Sequence, residues 1–383
     1  PYGASLSATR IFQRCYWLDG LGYPRAHFPG LLTPAPLAAV DKRGRQKAAD
    51  AELPLALQLA SETAQQLARF PRPITLYGLA LDEVRGKRKV PAHKQEAGQT
   101  RNGASPALSL PKNGGLLAAP WPELVPTLLA SLEQSAAVFL LNPLKDGLFR
   151  YADLAPLYQR TAPTELFLWL SHKQMETRLL PTLRTPEGAA ALTNLLRSDR
   201  WKSLLASSEE NSQRVVDGLI ELFAESMRPH FLSVQQLAFP VRSGPALVET
   251  APYSLLFATR RQDSLFCLND AVCKRVRQLH IESQQGVLTE EWFSRQRAEQ
   301  AASRKSALMR EALTLGSGQR VRRWPDLRLQ LLLKHFGQHT LAEYDQIITD
   351  LLTSGDVRCE WRKRDQEGSA SAIPGNDDLL LWR

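Results

Sequence analysis

Three short stretches carry residues able to do chemistry, and each directly follows an apolar run. Asp19-Gly20-Leu21-Gly22-Tyr23-Pro24-Arg25 follows Arg14-Cys15-Tyr16-Trp17-Leu18, and Asp82 and Glu83 follow Ile74–Leu81. Asn142-Pro143-Leu144-Lys145-Asp146-Gly147 follows Ala136–Leu141. An α/β sheet binds ligands outside the carboxyl ends of its strands, so these are the positions to examine. Glycine lets backbone approach a cofactor where any Cβ would clash. An acid at Asp82 suits ribose hydroxyls. Other chemistries lack their residues. There is no HExxH, no GxSxG and no Walker A sequence. Cys15, Cys267, Cys273 and Cys359 have no zinc spacing, so no metal site is expected. His335-Phe-Gly-Gln-His339 lacks a Glu or Cys to complete a site and reads as a helix end with two exposed imidazoles. Asp153 and Glu165 read as solvent or strand-edge groups.

The elements that must position these residues alternate in type. Strands are expected at Arg14–Gly20, ending in a loop at Asp19-Gly20, and at Ile74–Leu81, Ala136–Leu141 and Thr164–Leu170. Helices are expected at Glu52–Phe70, Pro122–Ser135 and Tyr151–Tyr158. Strand, helix, strand in this order predicts parallel crossovers in an α/β sheet. A short strand is expected near Ala107–Leu110, within a polar excursion from Arg85 to Gly115. Residues from about 173 to 236 read as helical, and Ala246–Thr250 stands where it could pair with the strand Tyr253–Thr259 across Ala251-Pro252. Helices follow at Gln262–Arg277 and Thr289–Leu313, then a basic linker from Gly316 to Arg323. The chain should end in helices Asp326–Phe336, Thr340–Gln346 and Ile347–Thr353 and a hairpin of Val357–Lys363 and Asp378–Trp382. Helices followed by a hairpin predict a winged helix. Its expected core is Leu329, Leu332, Leu333, Phe336, Ile347, Ile348, Leu351 and Leu352, closed by Val357, Trp361 and Leu380.

A glycine-rich first loop, an acid after the second strand and an Asn-Pro after the apolar strand Ala136–Leu141 have the layout of an AdoMet-dependent methyltransferase. Tyr16-Trp-Leu-Asp-Gly-Leu-Gly-Tyr-Pro24, with Leu32-Thr-Pro-Ala-Pro-Leu-Ala38, resembles the first motif of the three-Cys-motif partner proteins. Val138-Phe-Leu-Leu-Asn-Pro-Leu-Lys-Asp-Gly147 resembles that family's F-x-D-P-F-G, and Thr164–Leu168 and Leu255–Thr259 resemble its later strands. The resemblance implies a methyltransferase-like fold, a bacterial source and a cysteine-motif protein partner. It assigns Asp19, Gly20, Gly22 and Asp82 to AdoMet, and Asn142 and Pro143 to the catalytic position. The departures are informative. Tyr23 and Arg25 stand where the family has glycines, and Asn142 stands for its acid. A bulky ring at position 23 would occupy space where backbone should touch the cofactor, so no bound cofactor is expected.

The 383 residues are 43% hydrophobic and 23% charged, enough for a real core and more than one domain. A net charge of +9 favours an acidic partner such as nucleic acid. The basic clusters are Arg85, Lys87, Arg88 and Lys89; Arg320, Arg322 and Arg323; and Arg358, Arg362, Lys363 and Arg364. Asp345 and Asp350 should face away from the winged-helix core and would repel a duplex, so either weak, non-specific phosphate contact by the hairpin or docking of this face on a basic protein partner is expected instead of sequence-specific readout. No apolar run reaches the ~20 residues of a membrane span, and few cysteines suggest a cytoplasmic setting. The expected organisation is a methyltransferase-like domain over 1–277 with a helical insertion at about 173–236, a helical and basic linker over 278–323, and a winged helix over 324–383. The expected function is that of a catalytically degenerate, scaffolding subunit of a nucleic-acid-associated bacterial complex. The alternative is an active AdoMet-dependent enzyme modifying nucleic acid. A role in defence against mobile elements is a further expectation.

Overall fold

A computed structural model describes residue 6 and residues 12–23, 54–70, 72–82, 112–145, 147–206, 212–237, 240–242, 248–250, 252–284, 290–318, 323–362 and 373–383. The chain forms two compact units: Pro1–Phe239 with Thr250–Ser264, and Pro240–Glu249 with Leu265–Arg383.

The first unit opens with β1 (Arg14–Tyr23), α1 (Leu55–Ala68), β2 (Thr75–Asp82) and β3 (Gly114–Leu117). It continues through α2 (Trp121–Leu132), β4 (Ala136–Leu141), α3 (Tyr151–Gln159) and β5 (Thr164–Ser171). Beyond β5 come His172–Gln174, a π-helical turn Met175–Leu179, and Leu180–Thr182, then α4 (Pro186–Leu196), α5 (Trp201–Ala206) and α6 (Ser212–Met227). The chain then forms β6 (Ser233–Leu237), β7 (Pro240–Arg242), β8 (Val248–Thr250) and β9 (Tyr253–Thr259). Seven strands make one sheet in the order β3-β2-β1-β4-β5-β9-β6. Neighbours from β3 to β5 are parallel, whereas β9 runs antiparallel to both β5 and β6. This is an α/β fold compatible with a Rossmann-like core.

Its logic is visible in β4, Ala-Ala-Val-Phe-Leu-Leu, which is buried along its whole length as a central strand covered on both faces must be. One face packs Leu18, Phe139, Leu141, Leu166 and Leu168 against Trp121, Leu154 and the α6 stripe Val216, Leu219 and Phe223. On β2, Gly78 admits α1, since a Cβ there would collide with the Ala56 backbone.

Several expectations are corrected here. β1 does not stop at Asp19-Gly20 but continues to Tyr23 across a register shift, with Tyr23 opposite Asp82. The segment read as helical to residue 236 ends in β6, the far edge of the sheet. β8 pairs with β7, not with β9. The strand expected near Ala107–Leu110 lies outside the described residues.

In the second unit, the residues of α7 (Gln262–Gln284) from Leu265 onward precede α8 (Glu290–Gly318), α9 (Trp324–Lys334), α10 (Leu341–Ser354) and an antiparallel hairpin of β10 (Val357–Glu360) and β11 (Leu379–Trp382). α8 packs on α9, α10 and β11. Its last turn takes in Gly316–Gly318, expected to be linker. The two final helices expected at 340–353 are a single helix. Thr340 and Glu343 form a capping box at its start, Gly355 ends it at φ +77°, and nothing between Gln346 and Ile347 breaks it. The core is Trp324, Leu327, Leu331, Leu332, Tyr344, Ile347, Ile348, Leu351, Val357 and Leu380. Leu333 is exposed and Leu329 half-buried, because Trp324, Leu327 and Leu331 make up the buried face of α9; Phe336, Leu352 and Trp361 are also only half-buried.

Candidate functional site

The strand order of the first unit reverses between β1 and β4, and a doubly wound sheet offers its ligand crevice at that point. Asp19 and Asn142 are both drawn there, Asp19 pairing with Leu140 in the ladder. Asp19 is 2% exposed, and its Oδ1 accepts from the Leu21 N–H at 3.1 Å. Gly20 lies within the strand, where a Cβ would sit 2.6 Å from Leu141 Cδ2 and 2.8 Å from the Leu140 carbonyl. Its small size serves strand packing. Gly22 is part of β1, and Asp82 is the last residue of β2. Pro24 and Arg25 lie outside the described residues.

Asn142 is 1% exposed, and both polar atoms of its amide are hydrogen-bonded. Its Oδ1 accepts from the Leu144 N–H at 2.9 Å, and its Nδ2 donates to Gln174 Oε1 at 3.0 Å. Pro143 is buried, and its carbonyl accepts from the Phe149 N–H at 3.0 Å. Leu144 and Phe149 both sink into the core. The segment is a tight turn closed by its own side chains, and the carbonyl that would receive a target amine already holds a backbone donor.

Sequence reasoning missed a second polar group at the same edge. His172 Nε2 and Ser254 Oγ lie 3.0 Å apart, and Gln236 Nε2 donates to the same hydroxyl at 3.3 Å. Burial lowers the His172 pKa, opposed by the charges of Asp217 and Glu176. Ser254 is buried in the sheet, so this pair ties β5, β6 and β9 together and does not present a nucleophile to solvent. His172 directly follows β5, so the rule applied to the other strand ends would have flagged it.

The acids read as surface groups are internal. Glu165 Oε1 accepts from Ser264 Oγ at 2.7 Å, and Asp153 caps α3 by accepting from the Arg150 N–H at 2.7 Å. His339 is 7% exposed and half-buried His335 contacts Glu311, so neither is an exposed imidazole. Among the described residues no three His, Cys, Asp or Glu side chains could hold a metal ion.

Of the basic residues singled out, Arg323, Arg358 and Arg362 are described, and all three are exposed. Arg85, Lys87, Arg88, Lys89, Arg320, Arg322, Lys363 and Arg364 lie outside the described residues. Residues 265–383 carry eighteen Lys and Arg against sixteen Asp and Glu, so any anion binding by this part depends on local placement and not on net charge. Asp345 and Asp350, expected to face away from the core of their unit, are turned toward α9 and α8. Asp345 accepts from Arg328, and Asp350 pairs with Lys305. Among the described residues no helix is long and apolar enough to cross a membrane. No family model, no curated protein and no solved structure matches this chain.

Proposed function

We propose that the chain is a catalytically silent, methyltransferase-type subunit of a nucleic-acid-associated bacterial complex, a divergent relative of the three-Cys-motif partner proteins. It acts by binding and scaffolding in the cytoplasm. The observation that carries this reading is the internal use of both polar groups at the switch point. Asp19 holds Leu21, and Asn142 holds Leu144 and Gln174, so both groups already serve the fold itself. The strand order, with one reversed strand near the far edge, supports the methyltransferase-type reading of the sheet. The packing of α8, α9 and α10 with a following hairpin supports a winged helix in the second unit, α8 serving as its first helix. The exposed Arg323, Arg358 and Arg362 suit phosphate.

The second reading, an active AdoMet-dependent enzyme acting on nucleic acid, is favoured by one placement. Asn142-Pro143 does stand at the carboxyl end of the central strand beside the switch point. Calorimetric titration of the full chain with AdoMet separates the two. The scaffolding reading expects no saturable heat. Micromolar binding that is lost on Asp19→Ala overturns it in favour of the enzyme.

A further inference from the structure

The turn between α9 and α10 is fastened to α7. Asn269, itself buried, pairs with it twice: its Oδ1 accepts from the Gly337 N–H at 2.8 Å, and its Nδ2 donates to the His339 carbonyl at 2.8 Å. Asp270 Oδ1 accepts from the Leu341 N–H at 2.9 Å. Arg277 Nη2 donates to the Gln338 carbonyl at 3.0 Å, and Cys273 Sγ lies 3.5 Å from the same oxygen. These anchors recur at helical spacing along one side of α7. The approach is close, since a Cβ on Gly337, at φ +76°, would come within 2.8 Å of Val272 Cγ1.

The buried ring of His339 belongs to this turn and stands edge-on to His335 and Tyr344, with centroids 5.9 and 5.8 Å away. Charged and titratable groups face it from four helices. From α7 come Asp270, Cys273 and Arg277, and from α8 Arg304 and Glu311. Lys334 and His335 stand at the end of α9, and Glu343 and Tyr344 lie on α10. Burial pushes the Cys273 thiol and the Tyr344 hydroxyl up, so both stay neutral. Among the described residues, each carboxylate facing the ring is already engaged. Asp270 holds the Leu341 N–H. Glu343 pairs with Arg277 at 2.7 Å and accepts from the Thr340 N–H at 2.7 Å. Glu311 pairs with Lys334 and contacts His335. A cation formed at His339 would meet Arg277 and Arg304 with those acids already committed. Burial lowers the His339 pKa; Glu343 opposes this, and His335, Arg277 and Arg304 add to it.

We propose that this turn is an acid-operated latch, in which a proton taken up by His339 frees residues 337–341 from α7 while the core of α10 stays packed. The latch stands apart from the nucleic-acid reading. With the turn open, His339 takes its proton at the ordinary imidazole value of 6.5; with the turn closed, it does so only at lower pH. Opening is therefore favoured as the pH falls, by up to about tenfold per unit until the closed form also takes the proton. Ile347, Ile348 and Leu351 are buried further along α10 and do not depend on the turn's bonds.

The test is hydrogen exchange of the full chain, read by mass spectrometry at pH 8, 7, 6 and 5 and corrected for the intrinsic exchange rate. Peptides over residues 337–341 report the latch, and peptides over residues 347–351 are the reference. Protection of the turn should hold from pH 8 to pH 7 and then fall by up to about tenfold per unit, while the reference keeps its protection. His339→Gln, whose fold a melting curve at pH 8 checks, should remove the fall, and His335→Gln should keep it. A turn equally protected at pH 8 and pH 5 overturns the proposal. A turn that opens only together with the reference does so too, because the unit then melts as a whole. A folded His339→Gln protein that still opens in acid also overturns it. If His339→Gln does not fold, His335→Gln decides: a fall lost there places the proton on His335 and sinks the latch, and a fall retained leaves His339 as the imidazole that drives it.

Discussion

The side-chain amide of Asn142 donates to Gln174 Oε1 at 3.0 Å, fastening the turn after β4 to the segment after β5. Gln174 stands just before the π-helical turn Met175–Leu179, and its own N–H lies 3.4 Å from the Ser171 hydroxyl, which caps the short helix. The ends of β4 and β5 are therefore locked together, one strand over from the switch point. A bound cofactor would need the opposite, polar groups left open toward the crevice.

If Asn142 is a structural tie, Asn142→Ala should cost stability even without any ligand. The Leu144 N–H loses its acceptor and Gln174 its donor, in a buried turn. A loss of about 1–3 kcal/mol in urea denaturation is expected from buried groups left without partners. Unchanged stability would mean that the turn holds itself by its backbone alone.

Glycine substitutions separate packing from cofactor contact. Gly20→Ala drives a methyl against Leu141 Cδ2 and the Leu140 carbonyl, and only the side chain can yield. A destabilisation of about 1–3 kcal/mol is expected from overpacking. Gly78→Ala should be the more severe of the two, since its methyl meets the α1 backbone at Ala56. A Gly20→Ala protein as stable as the wild type would remove the packing account.

The sheet was legible where side-chain pattern alone decides structure. Ala136–Leu141 reads as a central strand because no position in it is polar. β6, Ser-Val-Gln-Gln-Leu, was not, because an edge strand with two glutamines lacks both the apolar run and β-branched enrichment. The switch point was legible as a location: Asp19 and Asn142 were found from where they stand after apolar runs. Their engagement was not, because the partners Leu21 and Leu144 bond through backbone N–H groups that every residue except proline has. Gln174 stands thirty-two residues from Asn142, and no local pattern joins them. The acid pairs of α10 were hidden for the same reason, since Lys305 and Arg328 lie on other helices.

Stability should fall on acidification in two stages. Burial lowers the pKa of His172, His230 and His339 below the ordinary 6.5, with Arg260 adding to the effect at His230. The unfolded chain therefore binds protons first. The contribution of these groups is full above about 6.5 and is lost as the pH falls through their folded values. At Glu311 burial raises the pKa, but donors from Lys334 and His335 outweigh it and leave the group below 4.5. Glu343 and Asp350 are likewise lowered by their partners, Arg277 and Lys305 foremost. Their contribution persists until the pH drops below the ordinary carboxylate range. Urea midpoints between pH 8 and pH 3 should show both declines, and His339→Gln should reduce the first. A flat profile from pH 8 to pH 5 would contradict the lowered pKa of these three imidazoles.

Asp345 decides whether the carboxylates of α10 are recognition groups or structural ones. It is held from two sides by α9, through the Trp324 indole and the Arg328 guanidinium, and Arg328 also lies 5.2 Å from the centre of the Phe266 ring. Asp345→Asn keeps the shape and the acceptor oxygen but removes the charge that balances a half-buried Arg328. Asp350→Asn does the same to Lys305 on α8. Surface ion pairs contribute little, but pairs at the margin of a core leave a cation poorly solvated when one partner goes. Each single change should lower Tm, Asp345→Asn more than Asp350→Asn, because Arg328 is the less exposed cation. The loss at Asp345 should be about 1–3 kcal/mol, as for buried hydrogen bonds to charged groups. The double variant should lose close to the sum, since the two pairs share no side chain. A double variant as stable as the wild type would show that these carboxylates do not hold the helices together.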